Sequence, residues 1–297
     1  MLTQRFSYSH LTQTYPKILI LKNILTALLE EGLLIAFSGG VDSGFLLWAA
    51  VETLNLMRED GKQGKLLALF TVSPSVPVWD RQDAKTFAES LNIDLTIIDS
   101  HELQQEAYAK NDNSRCYYCK SELFKIAKEM AEQQHYRHIA YGYNASDRGD
   151  IRPGHRSAKE NNIHAPLDQA GLEKEDIRNA LRQIGLSLAD KASSPCLASR
   201  MMTGVRVTEG KLLHVQHMEN ILRTAGFRVY RVRVHEEKIS TESVSKISYF
   251  RIEVAPEEML AVLKIRETLV NEARKMGYRW VNLDLSGYQV GGGTLKS

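Results

Sequence analysis

The stretch Ser38-Gly39-Gly40-Val41-Asp42-Ser43 constrains this chain more than any other. It follows the apolar run Leu33-Leu34-Ile35-Ala36-Phe37, which has the character of a buried strand, and precedes Gly44-Phe45-Leu46-Leu47-Trp48-Ala49-Ala50, where a helical pattern begins. A strand that ends in a Ser/Gly loop and opens a helix makes an anion pocket. The glycines allow a tight or closely approached backbone, and the loop N–H groups and the positive end of the helix dipole face the same point. The natural guest is a phosphate or pyrophosphate. Neither of the commoner phosphate loops fits, because there is no lysine for G-x-x-x-x-G-K-[ST] and no third glycine for G-x-G-x-x-G. The plainer reading of the same residues is a glycine turn between strand and helix.

Around this loop the apolar pattern repeats. A helix is expected over Pro16 to Glu31, strands at Leu66 to Val72 and Leu95 to Ile98, and a charged helix between them from Val78 to Ser90. Pro74 and Pro77 stop the second strand. A helix over His101 to Lys110, a loop at 111–115, a helix opening at Cys116 and a fourth strand at His138 to Gly142 follow. Strands of continuous apolar character alternating with helices predict an α/β fold with a doubly wound parallel sheet, whose ligands sit at the carboxyl ends of the strands. Arg152-Pro153-Gly154 reads as a turn and His164 to Leu167 as a short extended piece, before a helix from Glu173 that ends at Gly185.

Beyond about Met201 the pattern changes. A helix from Thr208 to Ala225 precedes Phe227 to Val234, which alternates apolar and charged residues strictly, so one face is buried and the other exposed. Tyr249 to Val254, a helix from Pro256 to Gly277 and a strand at Trp280 to Leu285 complete a small α+β unit, and the tail at Gly291 to Gly293 reads as flexible. The expected division is residues 1–200 and residues 201–297.

Of the 297 residues, 43% are hydrophobic and 25% charged, as in a globular protein with a sizeable core. The net charge of +2, from 38 basic and 36 acidic side chains, gives no global field that argues for nucleic acid. Met1 to Tyr15 lacks the apolar core of a signal peptide and no run is long enough to span a bilayer, so the expected location is the cytoplasm, with no membrane partner. Three cysteines, an odd number in a reducing compartment, read as ligands, nucleophiles or core fillers, not as a disulfide framework.

All three sit beside polar residues in loops or helix starts. Cys116 and Cys119 are close enough to clamp one soft metal, and Cys196 can join them only through the fold. No fourth ligand stands at zinc-motif spacing. That leaves an iron–sulfur cluster with one open iron, or a reactive cysteine plus a separate pair, with chance or a redox pair as the plainer alternative. Asp147 and Asp150, three apart at a strand's carboxyl end, suit Mg²⁺ or ribose, or are simple turn carboxylates. Arg231, Arg233 and Arg251, with Arg228 nearby, line one face or edge if their strands pair. They suit a small anionic substrate, or a solvated face that Glu253 and Glu236 neutralise.

Ser38 to Ser43 resembles the PP-loop of ATP pyrophosphatases, which cleave ATP between its α and β phosphates. The resemblance implies that the loop holds pyrophosphate, with the hydroxyls of Ser38 and Ser43 as added donors, and that Asp42 belongs to a Mg²⁺ site. Arg115-Cys116-Tyr117-Tyr118-Cys119-Lys120, Asn144-x-Ser146-Asp147-x-x-Asp150-x-Arg152-Pro153-Gly154, Pro195-Cys196-Leu197-Ala198-Ser199-Arg200 and Arg231-Val232-Arg233 followed by Arg251-Ile252-Glu253 together resemble the LarE family over nearly the whole chain. That family implies a sulfur transferase that adenylates a carboxylate of pyridinium-3,5-biscarboxylic acid mononucleotide with ATP and converts it to a thiocarboxylate, for the nickel-pincer nucleotide cofactor of lactate racemase.

By that resemblance, Ser38, Gly39, Gly40, Asp42, Ser43, Thr71, Asn144, Asp147, Ser199, Arg200, Arg231, Arg233 and Arg251 bind nucleotide or substrate. Asp42, Asp147, Asp150 and Glu253 are the Mg²⁺ candidates. Cys196 matches the cysteine that single-cysteine members sacrifice. With Cys116 and Cys119 present as well, the chain resembles the three-cysteine branch, in which the thiols hold a [4Fe-4S] cluster and a sulfide on the open iron is transferred. The implied partners are a nucleotide substrate, a sulfide or other sulfur donor, and further copies of the chain in a hexamer. Alternative readings are sacrificial transfer from Cys196, a PP-loop tRNA thiolase, against which the near-neutral charge stands, and a non-catalytic iron–sulfur or zinc carrier.

Overall fold

A computed structural model describes residues 7–149, 153–191, 195–238 and 246–289. Two compact units are present. The first comprises residues up to Ser73, Val78–His101 and Cys116–Ser194; the second comprises Pro74–Pro77, Glu102–Arg115 and the chain from Pro195.

The first unit is built on four parallel strands, β1 (Leu33–Ala36), β2 (Leu66–Val72), β3 (Leu95–Asp99) and β4 (His138–Tyr141), in the order β3-β2-β1-β4. The chain runs outward from β1 to β3 and then returns to the other side of β1, so the sheet's switch point lies between β1 and β4, next to the Ser38–Ser43 loop. All four residues of β1 are buried, as a strand covered on both faces requires. The helices of this unit are α1 (Tyr8–Thr14), α2 (Pro16–Glu31), α3 (Val41–Glu59) and α4 (Val78–Ser90). After α5 (Glu106–Ala109), which belongs to the second unit, come α6 (Arg115–Gln133), α7 (Pro153–Glu160), α8 (Pro166–Gln169) and α9 (Lys174–Gln183). Helix α3 is apolar nearly all round and contacts α2 and α9, with Phe45, Leu46, Leu47, Ala49 and Ala50 fully buried. On the sheet, Ala127 and Ala131 of α6 pack with Leu34, Leu67, Leu69 and Ile139.

In the second unit α10 (Glu209–Thr224) lies against a sheet of β5 (Tyr230–Lys238), β6 (Lys246–Val254) and β7 (Trp280–Leu283), followed in contact by α12 (Arg266–Lys275), which comes after the short α11 (Met259–Lys264). β5 and β6 are antiparallel with Arg233 opposite Arg251, while β7 runs parallel to β6.

Four local expectations are corrected. The helix expected over 101–110 is a 3-10 turn at Glu102–Gln104 and the four-residue α5. Pro153-Gly154 opens α7 instead of making a turn, since proline's missing N–H costs nothing in a first helical turn. The extended piece at 164–167 reduces to one bridge, Ala140 to His164, before α8. The helix expected over 256–277 is a 3-10 turn followed by α11 and α12, broken at Ile265, whose backbone (φ −110°, ψ 11°) is not helical. Helix α1, too polar to show a core pattern, is capped by the Ser7 side chain and docks through Tyr8 and Leu11. Asp150, Arg152 and the glycine tail lie outside the described residues.

Candidate active site

The loop conformation follows from its own residues. Gly39 has φ +72°, in the left-handed region that only glycine enters without strain. Gly40 is extended and precedes the first turn of α3. Ser43 Oγ knots the loop: it accepts from the Ser38 N–H at 3.2 Å, donates to Gly40 O at 3.2 Å and lies 2.9 Å from Ser38 Oγ. The floor is Gly142, just past β4. A methyl group there would sit 2.5 Å from Ser43 N and 2.6 Å from Ser43 Cα, so only glycine lets β4 reach the loop backbone. Gly142→Ala is therefore expected to lose about 1–3 kcal/mol of stability through overpacking. It should also lose nucleotide binding, whereas Gly149→Ala, in open space, should change neither; urea melts and a nucleotide titration check this.

Asp42, on the first turn of α3, is the electrostatic centre. Burial holds its carboxyl above the usual carboxylate range; Lys174 opposes the shift, and the nearby Asp147 adds to it. Asp42 Oδ1 and Asn144 Nδ2 are both buried without a partner in hydrogen-bond geometry among the described residues, although the amide lies close enough to draw the carboxyl's pKa down. Asn144 is fully buried and arranges its own turn: its side-chain oxygen accepts from Ser146 N–H at 3.0 Å, and its carbonyl accepts from Asp147 N–H at 3.1 Å. The switch point thus brings together Ser38, Gly39, Gly40, Asp42, Ser43, Asn144 and Asp147. Thr71 is half-buried on the carboxyl half of β2. Lys174 and Arg178 both act on Asp42 from α9 and belong to none of the sequence motifs. Their spacing of four, which puts both on one helix face, was the available signal.

In the second unit the Cys196 loop is held by Arg200. Arg200 is 2% exposed and its guanidinium binds Glu219 twice, at 2.9 and 3.0 Å. Its remaining N–H groups donate to the carbonyls of Pro195 and Cys196, the latter at 3.2 Å. Glu219 also accepts from Val232 N–H at 3.1 Å. Apolar periodicity gave no sign of this glutamate, because it occupies a core position of α10. Arg115 donates to Ala198 O at 2.8 Å in the same loop.

Arg231, Arg233 and Arg251 do share one sheet face, as the register of β5 and β6 requires, but that face is not an open one. Arg233 is 5% exposed, binds Glu253 at 2.5 and 2.9 Å and donates to Ser199 O. Arg251 donates to the same carboxylate at 3.0 Å, so Glu253 is enclosed by two guanidiniums. Arg231 lies over the Tyr288 ring. His235 continues the face, stacked on Tyr249, with its pKa pushed down to about 4 by burial and then by Arg251.

Cys116 and Cys119 stand in the first turns of α6, three residues apart and so on neighbouring positions of one face. Cys116 is exposed, Cys119 and Cys196 are partly exposed, and none is in a disulfide. Among the described residues no three His, Cys, Asp or Glu side chains are gathered as a metal site, and no helix is long and apolar enough to cross a membrane.

No family model matches the chain. It is 33% identical to the uncharacterized protein slr1717 of Synechocystis over 87% of its own length and 90% of that protein. It is 26% identical to the pyridinium-3,5-bisthiocarboxylic acid mononucleotide synthase of Lactiplantibacillus plantarum, over 86% of this chain and 87% of the synthase. An uncharacterized protein of Methanocaldococcus jannaschii is 24% identical over 92% of the chain and 97% of its own length.

Proposed function

Because the chain belongs to the LarE family, we propose that it is an ATP-dependent sulfur transferase that adenylates a carboxylate of pyridinium-3,5-biscarboxylic acid mononucleotide and turns it into a thiocarboxylate. The observation that carries the reading is the Ser38–Ser43 loop at the switch point, with Asp42 on its helix and Asp147 within electrostatic reach of it. A carboxylate is a poor electrophile, because oxide is a poor leaving group. When its oxygen attacks the α-phosphorus of ATP, pyrophosphate departs and the acid carries AMP. The loop N–H groups and the Ser38 and Ser43 hydroxyls receive the departing pyrophosphate. A sulfur nucleophile then attacks the acyl carbon, the C–S bond forms, and AMP leaves with the electron pair of the broken C–O bond.

Two carboxylates within electrostatic reach of each other, one with a buried oxygen that has no partner among the described residues, fit a hard divalent cation, so Asp42 and Asp147 would hold Mg²⁺. When bound it supplies positive charge against the polyphosphate. Two exposed-side thiols one turn apart fit two corners of an iron–sulfur cluster, and Cys196 would be the third ligand of a [4Fe-4S] centre. When bound, such a cluster would supply the sulfide that is transferred.

The test is anaerobic reconstitution with iron and sulfide counts, followed by AMP release with the biscarboxylate nucleotide. About four irons per chain, lost in Cys116→Ala together with multiple turnover, is the expected result. No iron, with Cys196 converted to dehydroalanine after one turnover, would replace the cluster by sacrificial transfer. AMP release that requires tRNA would overturn the substrate.

A further inference from the structure

Beyond the carboxyl end of β4, in the first unit, lies a cavity of about 360 Å³ that no part of the reading above uses. Its floor is a column of rings. Tyr141 and Tyr143 stack at 5.8 Å, and Tyr143 and His155 lie nearly parallel at 3.8 Å and 7°. Both tyrosines are buried and His155 is only half-buried, so the imidazole is the most accessible ring of the column.

Tyr141 Oη lies 2.6 Å from His155 Nδ1, and which of the two donates is set by the imidazole tautomer. Burial lifts the phenol's pKa far above its ordinary range and depresses that of His155, so both groups are uncharged at neutral pH. In the tautomer in which the phenol donates to Nδ1, the ring carries its own hydrogen on Nε2. Around the floor, Ala158 and Ile163 are apolar wall, while Lys159 and Arg148 bring positive charge. Asp168 orients Arg148, accepting from its Nε at 2.5 Å through the carboxylate and from a terminal N–H at 2.8 Å through the carbonyl. Two cations against one carboxylate leave this lining positive. Asp147 lies within electrostatic reach of Tyr141 and His155 as well as of Asp42.

We propose that this cavity seats a flat, single-ring carboxylic acid: the ring lies on His155, an acceptor on its edge meets the Nε2–H, and a carboxylate meets Lys159 and Arg148. The volume stands at the small end of ligand pockets, which suits one substituted ring. A neutral imidazole face and a positive rim select against aliphatic and cationic guests. For a ring with two carboxylates, one is anchored here and the other is left for activation at the loop. That identity rests on the proposed function; binding of the ring acid does not.

The probe is pyridine-3,5-dicarboxylate without nucleotide, titrated into the full chain by calorimetry and by the His155 ring proton resonances. Saturable binding at one site is expected. It should weaken by about tenfold or more in Lys159→Glu and in His155→Ala, and likewise for cyclohexane-1,3-dicarboxylate, which has the same charge and no flat ring. His155→Phe keeps the stack and guards against a folding artefact; it should bind less tightly than the unmodified protein at an unchanged melting temperature. Absence of saturable binding, or equal affinity in Lys159→Glu, overturns the site. Intact ring binding without any ATP–pyrophosphate exchange supports the cavity and counts against acid activation alone.

Discussion

Asp42→Asn should melt at a higher temperature than the unmodified protein when no nucleotide is present, while ATP-dependent turnover falls by about a hundredfold or more. Both effects have one origin. The folded-state pKa of Asp42 lies above its ordinary 3.8, mainly through burial, with Asp147 adding to the shift. A carboxyl raised in this direction favours the fold most below pH ~4 and loses that contribution as pH rises through the folded value. At neutral pH the charged form is thus a standing cost that asparagine removes at nearly the same shape. The gain in melting temperature should be seen at pH 7 and shrink toward pH ~4. In the proposed function the same charge would hold a divalent cation on ATP, so the variant is expected to lose function as it gains stability. Melting curves across pH and an ATP–pyrophosphate exchange assay check both halves, and a lower melting temperature at neutral pH would refute the charge-strain account.

The second large effect is on the other unit. Arg200→Met should cost about 3–5 kcal/mol, because it leaves the Glu219 carboxylate buried, at 1% exposure, with the Val232 N–H as its remaining hydrogen-bond donor among the described residues. Arg200→Lys should rescue little, since an ammonium cannot reproduce the two-point pairing with Glu219 while also donating to the Pro195 and Cys196 carbonyls. The double variant Arg200→Met with Glu219→Leu should regain most of the stability, as apolar replacements of buried pairs do. It should still show altered Cys196 alkylation, because the loop carbonyls have lost their donor. Denaturant melts read the first effect and thiol labelling the second. A double variant as unstable as the single would show that the cost lies in packing.

Much of the architecture is legible from local pattern. The four apolar runs became the four parallel strands, and the Ser/Gly loop between β1 and α3 lies where the sheet reverses direction. Local pattern fails where polar residues are ordered by distant partners. Asn111, in left-handed backbone at φ +58°, donates through its side chain to the carbonyls of Met202 and Val205 at 2.9 and 2.8 Å, and so helps tie 102–115 into the second unit. Nothing in the flanking Asn-Asp-Asn-Ser composition signals that. The β5–β6 hairpin likewise runs further than its apolar alternation, since Glu236–Lys246 and Glu237–Tyr249 contacts carry it outward.

Sequence alone determined the strand–loop–helix unit and the chemical types it presents: two hydroxyls, two glycines and a carboxylate within six residues. Backbone turns and helix starts are short-range physics, and the residues that make them are neighbours in the chain. Tertiary structure alone decided that Gly142 would floor the loop, that Asp147 would come within electrostatic reach of Asp42, and that Arg200 would lock onto Glu219 and hold the Cys196 carbonyl. A buried charge needs an opposite charge or a hydrogen-bond partner wherever the fold can supply one. That partner comes from a distant segment whose local pattern shows nothing of the pairing.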